Sequence, residues 1–223
     1  TIPGEGKTFA ALNLASIIAA SGKKVLLTGL DLRRPNLHRH FEISNKKGMS
    51  NYLIGRDSYE DIIQPTYIDH LWLAPSGPVP PNPAELIETH RMEKFFSRAQ
   101  QEYDYIILDT PPVAIVTDAL LLARYAHASI FLIRQKFSEK EVLELINNLY
   151  EDKKFQHLNL LINDIKVAST LGYRYYYGYG YGYGYGYGYG YRYRYGKGYY
   201  NYYGDELKTK DKIINKFFGK NKD

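Results

Sequence analysis

The 223-residue chain carries 29 Lys and Arg against 24 Asp and Glu, a formal net charge of +5, and no cysteine. Without cysteine there is no disulfide framework and no thiolate metal site. With no run of 18 apolar residues and no leader-type segment, the chain is expected to be soluble and intracellular. Residues 1–168 are nearly neutral, 19 Lys and Arg against 20 Asp and Glu, while residues 169–223 hold 10 against 4. All the excess positive charge is therefore in the tail, which argues against a basic, nucleic-acid-binding core.

The chain opens on a loop, Thr1-Ile-Pro-Gly-Glu-Gly-Lys-Thr8. Phe9–Ser21 then reads as an apolar helix ended by Gly22. Val25–Thr28 is a short buried strand followed by the turn Asp31-Leu-Arg-Arg-Pro35. His38 and His40 fall in a surface loop. Met49–Ile54 and Tyr59–Ile63 read as short helices around Gly55, and Leu71–Ala74 as a strand before the Pro-rich loop Pro75–Pro83. Ala84–Glu88 and Arg91–Glu102 are helical. Tyr105–Leu108 is an apolar strand ending at Asp109-Thr-Pro-Pro112. Asp118–Tyr125 is a helix, Ser129–Ile133 a strand, and Glu139–Lys153 a helix whose Ser138 and Glu141 have capping-box spacing. Leu158–Ile162 is the last strand, followed by Asn163-Asp164.

Continuously apolar strands alternating with helices predict an α/β fold, a mainly parallel sheet with helices on both faces. Ligands in such sheets sit at the carboxyl ends of the strands. The expected organisation is one domain over 1–168, a Tyr/Gly-rich tail over 169–204 and a basic segment over 205–223.

Gly4-Glu-Gly6-Lys7-Thr8 leading into a helix is a phosphate-binding loop. Its glycines let backbone N–H groups close on phosphate oxygens at a helix N-terminus. Lys7 can reach the outer phosphates and Thr8 can ligate Mg²⁺. The strand Ile106-Ile-Leu-Asp109 delivers one carboxylate, and Val25–Asp31 delivers another. Thr8, Asp31 and Asp109 could together hold Mg²⁺ at a triphosphate.

The tail holds 17 of the 24 tyrosines: Tyr173, Tyr175, Tyr176, Tyr177, Tyr179, Tyr181, Tyr183, Tyr185, Tyr187, Tyr189, Tyr191, Tyr193, Tyr195, Tyr199, Tyr200, Tyr202 and Tyr203. Strict Tyr/Gly alternation has no helical period, and glycine at every second position raises the entropy cost of ordering. A disordered tail is expected, either a flexible stack of phenols or a sticky low-complexity segment, and phenols accept phosphate. Farther on, Leu207, Ile213, Ile214, Phe217 and Phe218 are interleaved with lysines. This segment reads either as a basic amphipathic helix at an anionic membrane surface or as a frayed charged terminus.

PGEGKT, LDLRRPNL, GPVPPNPAELI, IILDTPP with Asp118 downstream, and the Tyr-rich tail together resemble the bacterial tyrosine kinases. These are P-loop regulators of capsule and exopolysaccharide synthesis or export, with a deviant-Walker fold related to partitioning ATPases. The resemblance implies an ATP·Mg²⁺-dependent protein-tyrosine autokinase that phosphorylates the C-terminal tyrosines, commonly of a neighbouring subunit in a homo-oligomeric ring. It implies a membrane chain-length-regulator domain or adaptor as partner, an opposing tyrosine phosphatase, no nucleic acid, and a place at the cytoplasmic face of the inner membrane. By motif, Pro3, Gly4, Glu5, Gly6, Lys7 and Thr8 would bind ATP, with Asn163 contacting adenine unless it is simply a turn residue beside Asp164. Lys7, Asp31, Asp109 and Arg33 would be catalytic.

Two departures stand out. The family's second motif carries Asp-x-Asp, and here its first acid is Gly29. The chain also begins inside the loop, so the strand expected before Thr1 is missing and the sequence reads as a fragment, expected to be unstable or inactive alone. The alternative function is a non-kinase P-loop ATPase switch of the partitioning or cell-division type. Those proteins carry an extra lysine early in the loop, where this chain has Ile2. A third reading, RNA binding by the tail, is weakened by the scarcity of arginine near the repeat.

Overall fold

The structure, a computed structural model, describes residues 2–166. In chain order the elements are α1 (Lys7–Ala20), β1 (Val25–Gly29), α2 (Leu37–His40), α3 (Met49–Leu53), α4 (Tyr59–Ile62), β2 (Gln64–Pro65), β3 (Leu71–Ala74), α5 (Pro83–Ile87), α6 (His90–Glu102), β4 (Tyr105–Asp109), α7 (Asp118–Ala123), β5 (Ser129–Arg134), α8 (Glu141–Glu151) and β6 (Leu158–Asn163). The compact unit runs to Lys166. Expectations for Thr1 and what precedes it, for the tyrosine cluster and for the basic segment 205–223 lie outside the described residues. Among those residues no helix is long and apolar enough to cross a membrane.

β3, β1 and β4 form a parallel core, with β2 added antiparallel at its edge in the order β2-β3-β1-β4. All five residues of β1 are buried, as expected for a central strand covered on both faces. Its two faces separate by the strand period. Leu26 shares a buried cluster with Met92, Phe95 and Ile87 on one side, under α5 and α6. Val25 and Leu27 meet Ala15 and Ala19 of α1 on the other. The register sets Gly29 opposite Asp109, so the carboxyl ends of β1 and β4 finish side by side. β5 and β6 form a separate parallel pair, with Phe131 packed on Val142 and Ile146 of α8.

Three details differ from the sequence reading. β2 is an additional strand, two residues long with Pro65 in it, and a proline is tolerated there because the strand is at the edge. His38 and His40 sit in α2 rather than a loop. The capping box expected at Ser138 is absent: α8 begins at Glu141 with no side-chain cap, because the Ser138 hydroxyl is engaged by the phosphate loop and by the backbone N–H of Arg134. A capping box does form at Ser58 and Asp61, at the start of α4.

Candidate active site

The loop running from Ile2 into α1 is shaped by two glycines. Gly6 stands at the N-cap of α1 with φ 95°, in the left-handed region that side chains avoid. A Cβ there would lie 2.5 Å from Asn163 Nδ2. Gly4 has φ 83°, and a Cβ would meet the Phe137 ring at 2.9 Å. α1 has no side-chain cap and no acidic residue in its first turn, which suits its leading N–H groups to an external anion.

The loop is clasped by groups distant in sequence. Glu5 is fully buried. Its carboxylate accepts the Ile2 N–H at 2.7 Å and the Ser138 hydroxyl at 2.7 Å. Asn163 Nδ2 donates to the Glu5 carbonyl at 2.9 Å, and Arg134 Nη1 to the Gly4 carbonyl at 3.2 Å. Lys7 Nζ donates to the Ile2 carbonyl and stands 3.9 Å from Glu5 Oε2. Burial pushes the Lys7 ammonium below its ordinary pKa, while Glu5, Asp109 and Asp31 pull it back up.

At the strand ends, Thr8 Oγ1 donates to Asp109 Oδ2 at 2.9 Å. This hydrogen bond ties the head of α1 to the end of β4. Asp109 is buried, and burial raises its pKa to about 7, with the Asp31 charge adding and the Thr8 hydrogen bond and Lys7 opposing. Leu30 N–H donates to the Asp109 carbonyl at 2.8 Å, which carries the chain from β1 directly past it. Asp31 Oδ1 accepts the backbone N–H groups of Arg33 at 3.2 Å and Arg34 at 2.9 Å. Burial also raises the Asp31 pKa, against those two hydrogen bonds.

Lys7, Thr8, Asp31 and Asp109 are thus gathered at one end of the parallel strands. Arg33 is placed differently: its guanidinium forks onto Asp118, Nε to Oδ2 at 2.8 Å and Nη2 to Oδ1 at 2.9 Å. Asn163 lies against the loop, with Nδ2 on Glu5 and Oδ1 accepting the Asp164 N–H. Gly29 faces Ser76: a Cβ would stand 2.6 Å from Ser76 Oγ and 3.0 Å from Ser76 N. Sequence reasoning missed Ser138, Arg134 and Phe137 as neighbours of the phosphate loop, and Ser76 as the neighbour of Gly29. None carries a motif that points to this site, and only the fold brings them there.

The donor set fits Mg²⁺ and a polyphosphate. A hydroxyl and two carboxylates are hard oxygen donors, and Mg²⁺ commonly takes one or two carboxylates with the rest from phosphates and water. The glycine-walled loop leaves room for backbone N–H groups to approach phosphate.

These features define a P-loop nucleotide-binding protein with a mainly parallel α/β sheet. A family model described as an AAA domain, AAA_31, matches residues 3–166. The chain is 38% identical over 174 residues to the tyrosine-protein kinase YwqD of Bacillus subtilis, covering 78% of this chain and 73% of that protein. It is 35% identical over 171 residues to the tyrosine-protein kinase ptk of Acinetobacter johnsonii, covering 77% of this chain but only 23% of that longer protein. The solved kinase domain of Escherichia coli tyrosine kinase ETK superposes with a TM-score of 0.71 at 37% identity, over 82% of this chain and 70% of that one. The septum site-determining protein MinD of Pyrococcus horikoshii, complexed with Mg-ADP, shares the fold at a TM-score of 0.60 and 20% identity, over 72% of this chain and 65% of that one. The chain belongs to the bacterial tyrosine-protein kinase family and is an enzyme of that class.

Proposed function

We propose that this chain transfers the γ-phosphoryl group of Mg·ATP to tyrosine hydroxyls of the cluster between Tyr173 and Tyr203, on a neighbouring copy in a homo-oligomer, and so regulates capsule or exopolysaccharide synthesis or export. The observation that carries the reading is the Thr8–Asp109 contact at the head of the loop, 2.9 Å long. It brings a phosphate loop and an acidic strand end into one Mg²⁺-competent cluster, in a chain with 17 tyrosines at its tail.

Bound Mg²⁺ would supply positive charge across the outer phosphates. The N–H groups from Gly4 to Thr8 hold the phosphate oxygens. Lys7 exchanges the Ile2 carbonyl for a phosphate oxygen, which favours its charged form. Thr8, Asp109 and Asp31 would hold the metal. The terminal P–O bond to ADP breaks as the tyrosine Oη–P bond forms, and the phenol proton passes to a carboxylate. Asp31, half-buried where Asp109 is enclosed, is the one that an incoming phenol reaches. With Gly29 in place of the first acid, Asp31 would serve both metal and proton. That is tolerable in a reaction driven mainly by positioning and electrostatics. Asn163 would turn from Glu5 to the adenine.

The resemblance also supports a ring with phosphorylation between subunits, a membrane adaptor or chain-length-regulator partner, a tyrosine phosphatase that resets the tail, and a place at the cytoplasmic face of the inner membrane. The test is mass spectrometry of the purified protein after incubation with Mg·ATP. Phosphotyrosine between residues 173 and 203 is expected, with none in Lys7→Met. ATP hydrolysis without any phosphotyrosine would favour a nucleotide switch instead.

A further inference from the structure

We propose that Arg33 and Asp118 form a positioning pair that holds the Asp31 carboxylate in the Mg²⁺ pocket, so that Arg33 acts on the site through Asp118 and does not touch phosphate. The inference rests on the nucleotide reading above and assigns a part to Asp118, which that reading does not use.

Asp118 is fully buried at the first position of α7. Its carboxylate takes both arms of the guanidinium, at 2.8 and 2.9 Å. Both oxygens are thereby met by one planar fork, the arrangement in which Arg is not replaceable by Lys. A buried carboxylate needs such a partner, because an unpaired charge there is strongly disfavoured. The Arg33 side chain is 39% exposed, so it borders solvent, and its guanidinium is drawn inward onto Asp118.

The pair closes a loop of contacts around the metal carboxylates. From Asp109 the chain passes Pro111 and Pro112 to Asp118. From Gly29 it passes Leu30, Asp31 and Leu32 to Arg33. The two branches are tied at one end by the Leu30 N–H on the Asp109 carbonyl, 2.8 Å, and at the other by Arg33–Asp118. Leu30 and Leu32 are fully buried on either side of Asp31. Asp31 Oδ1 is held by the N–H groups of Arg33 and Arg34, which fixes the carboxylate plane with Oδ2 as the oxygen left for a cation. Releasing Arg33 frees the residue whose own N–H orients that carboxylate. Partners behind metal ligands commonly change metal affinity by about 10- to 100-fold when removed.

The test measures binding of a fluorescent ATP analogue to the full protein, once in Mg²⁺ and once in EDTA, with circular dichroism to confirm folding. In wild type, Mg²⁺ should tighten binding. In Arg33→Ala and in Asp118→Ala that tightening should fall alike, by roughly 10-fold, while affinity in EDTA stays within about twofold. The double variant should be no worse than either single one, as for two residues acting as one unit. If the alanine variants do not fold, Arg33→Lys and Asp118→Asn replace them, with the same expectation in direction. Loss of EDTA affinity in the Arg33 variant but not the Asp118 variant would overturn the proposal, because it makes Arg33 a direct phosphate contact. Folded variants with an unchanged Mg²⁺ effect would overturn it as well, leaving the pair a purely structural one. A wild type that binds no nucleotide in either condition sinks the underlying nucleotide reading, a result distinct from both.

Discussion

Asp109→Asn should stabilise the nucleotide-free protein at alkaline pH and abolish its response to Mg²⁺. The Asp109 pKa is raised from 3.8 to about 7 by burial. Because the folded-state value lies above the unfolded one, the folded state prefers the protonated acid. Its favourable contribution is complete below pH 3.8 and is lost as the pH rises to 7. At about 1.4 kcal/mol per pKa unit, the raised pKa costs the apo fold on the order of 4 kcal/mol at pH 8 and roughly 1.5 kcal/mol at pH 5. Asparagine keeps the shape and still accepts the Thr8 hydroxyl, but never ionises. The stability difference between variant and wild type should therefore grow by roughly 2–3 kcal/mol from pH 5 to pH 8. Histidines and other groups titrating in that range are common to both proteins and drop out of the difference. The assay is urea unfolding of both proteins in EDTA at several pH values, read at the midpoint and slope. A difference that stays flat across this range would refute the reasoning, since Asp109 would then be ionised in the fold at no cost. Adding Mg·nucleotide should shrink the difference, because the wild-type carboxylate gains its cation and the variant has none to gain.

Gly6→Ala should lose nucleotide binding and cost roughly 1–3 kcal/mol of stability, because the new methyl group enters the left-handed region 2.5 Å from Asn163 Nδ2; melting and nucleotide titration check it. Gly29→Asp, which would restore the family's first acid, should not raise kinase activity alone, because its Cβ would stand 2.6 Å from Ser76 Oγ. Combined with Ser76→Gly it should melt higher than the single variant and bind Mg²⁺ more tightly. Ser138→Ala removes the hydroxyl that meets the buried Glu5 carboxylate and should cost about 1–3 kcal/mol, measured by urea unfolding. Tail phosphorylation should dissociate oligomers: at about −1.5 to −2 charges per phosphate, three or four cancel the tail's excess of 10 basic over 4 acidic residues, and sedimentation showing unchanged assemblies at five or more phosphates per chain would count against it.

The sequence made every strand but β2, the phosphate loop and the two acidic strand ends legible, because each rests on local chemistry. GEGKT needs only its own spacing and the helix behind it, and Ile106–Asp109 needs only an apolar run ending in an acid. What stayed hidden is non-local. Arg33 and Asp118 are 85 residues apart, Asn163 and Glu5 are 158 apart, and no periodicity announces either pair. Ser138 shows the opposite failure. Its spacing to Glu141 satisfies the capping-box pattern, but a buried carboxylate on the loop is a stronger claimant for one hydroxyl than a solvated helix end. Ser76 sits in an unremarkable Pro-rich loop, and its closeness to Gly29 follows only from the parallel pairing of β1 with β3, in which Thr28 lies opposite Ala74.

The shifts at Lys7 and Asp109 have one cause with opposite signs. Burial depresses the lysine and raises the acid, so both groups are pressed toward their neutral forms in the absence of a ligand. Lys7 donates to a backbone carbonyl with the Glu5 carboxylate 3.9 Å away, and Asp109 accepts a hydroxyl. These neighbours offset only part of what burial costs each charge. A polyphosphate beside Lys7 and a divalent cation beside Asp109 would each add opposite charge, so binding recovers desolvation that folding has already incurred. Stability is thereby spent in advance to make the site receptive. The same logic explains why Gly29 is tolerable: a third carboxylate beside Asp31 and Asp109 would deepen the repulsion that already raises the Asp109 pKa. Its absence relaxes the apo fold while leaving Thr8, Asp31 and Asp109 to meet the metal. The expected trade is a more stable resting site with weaker Mg²⁺ binding, which the Gly29→Asp/Ser76→Gly variant reverses in both respects.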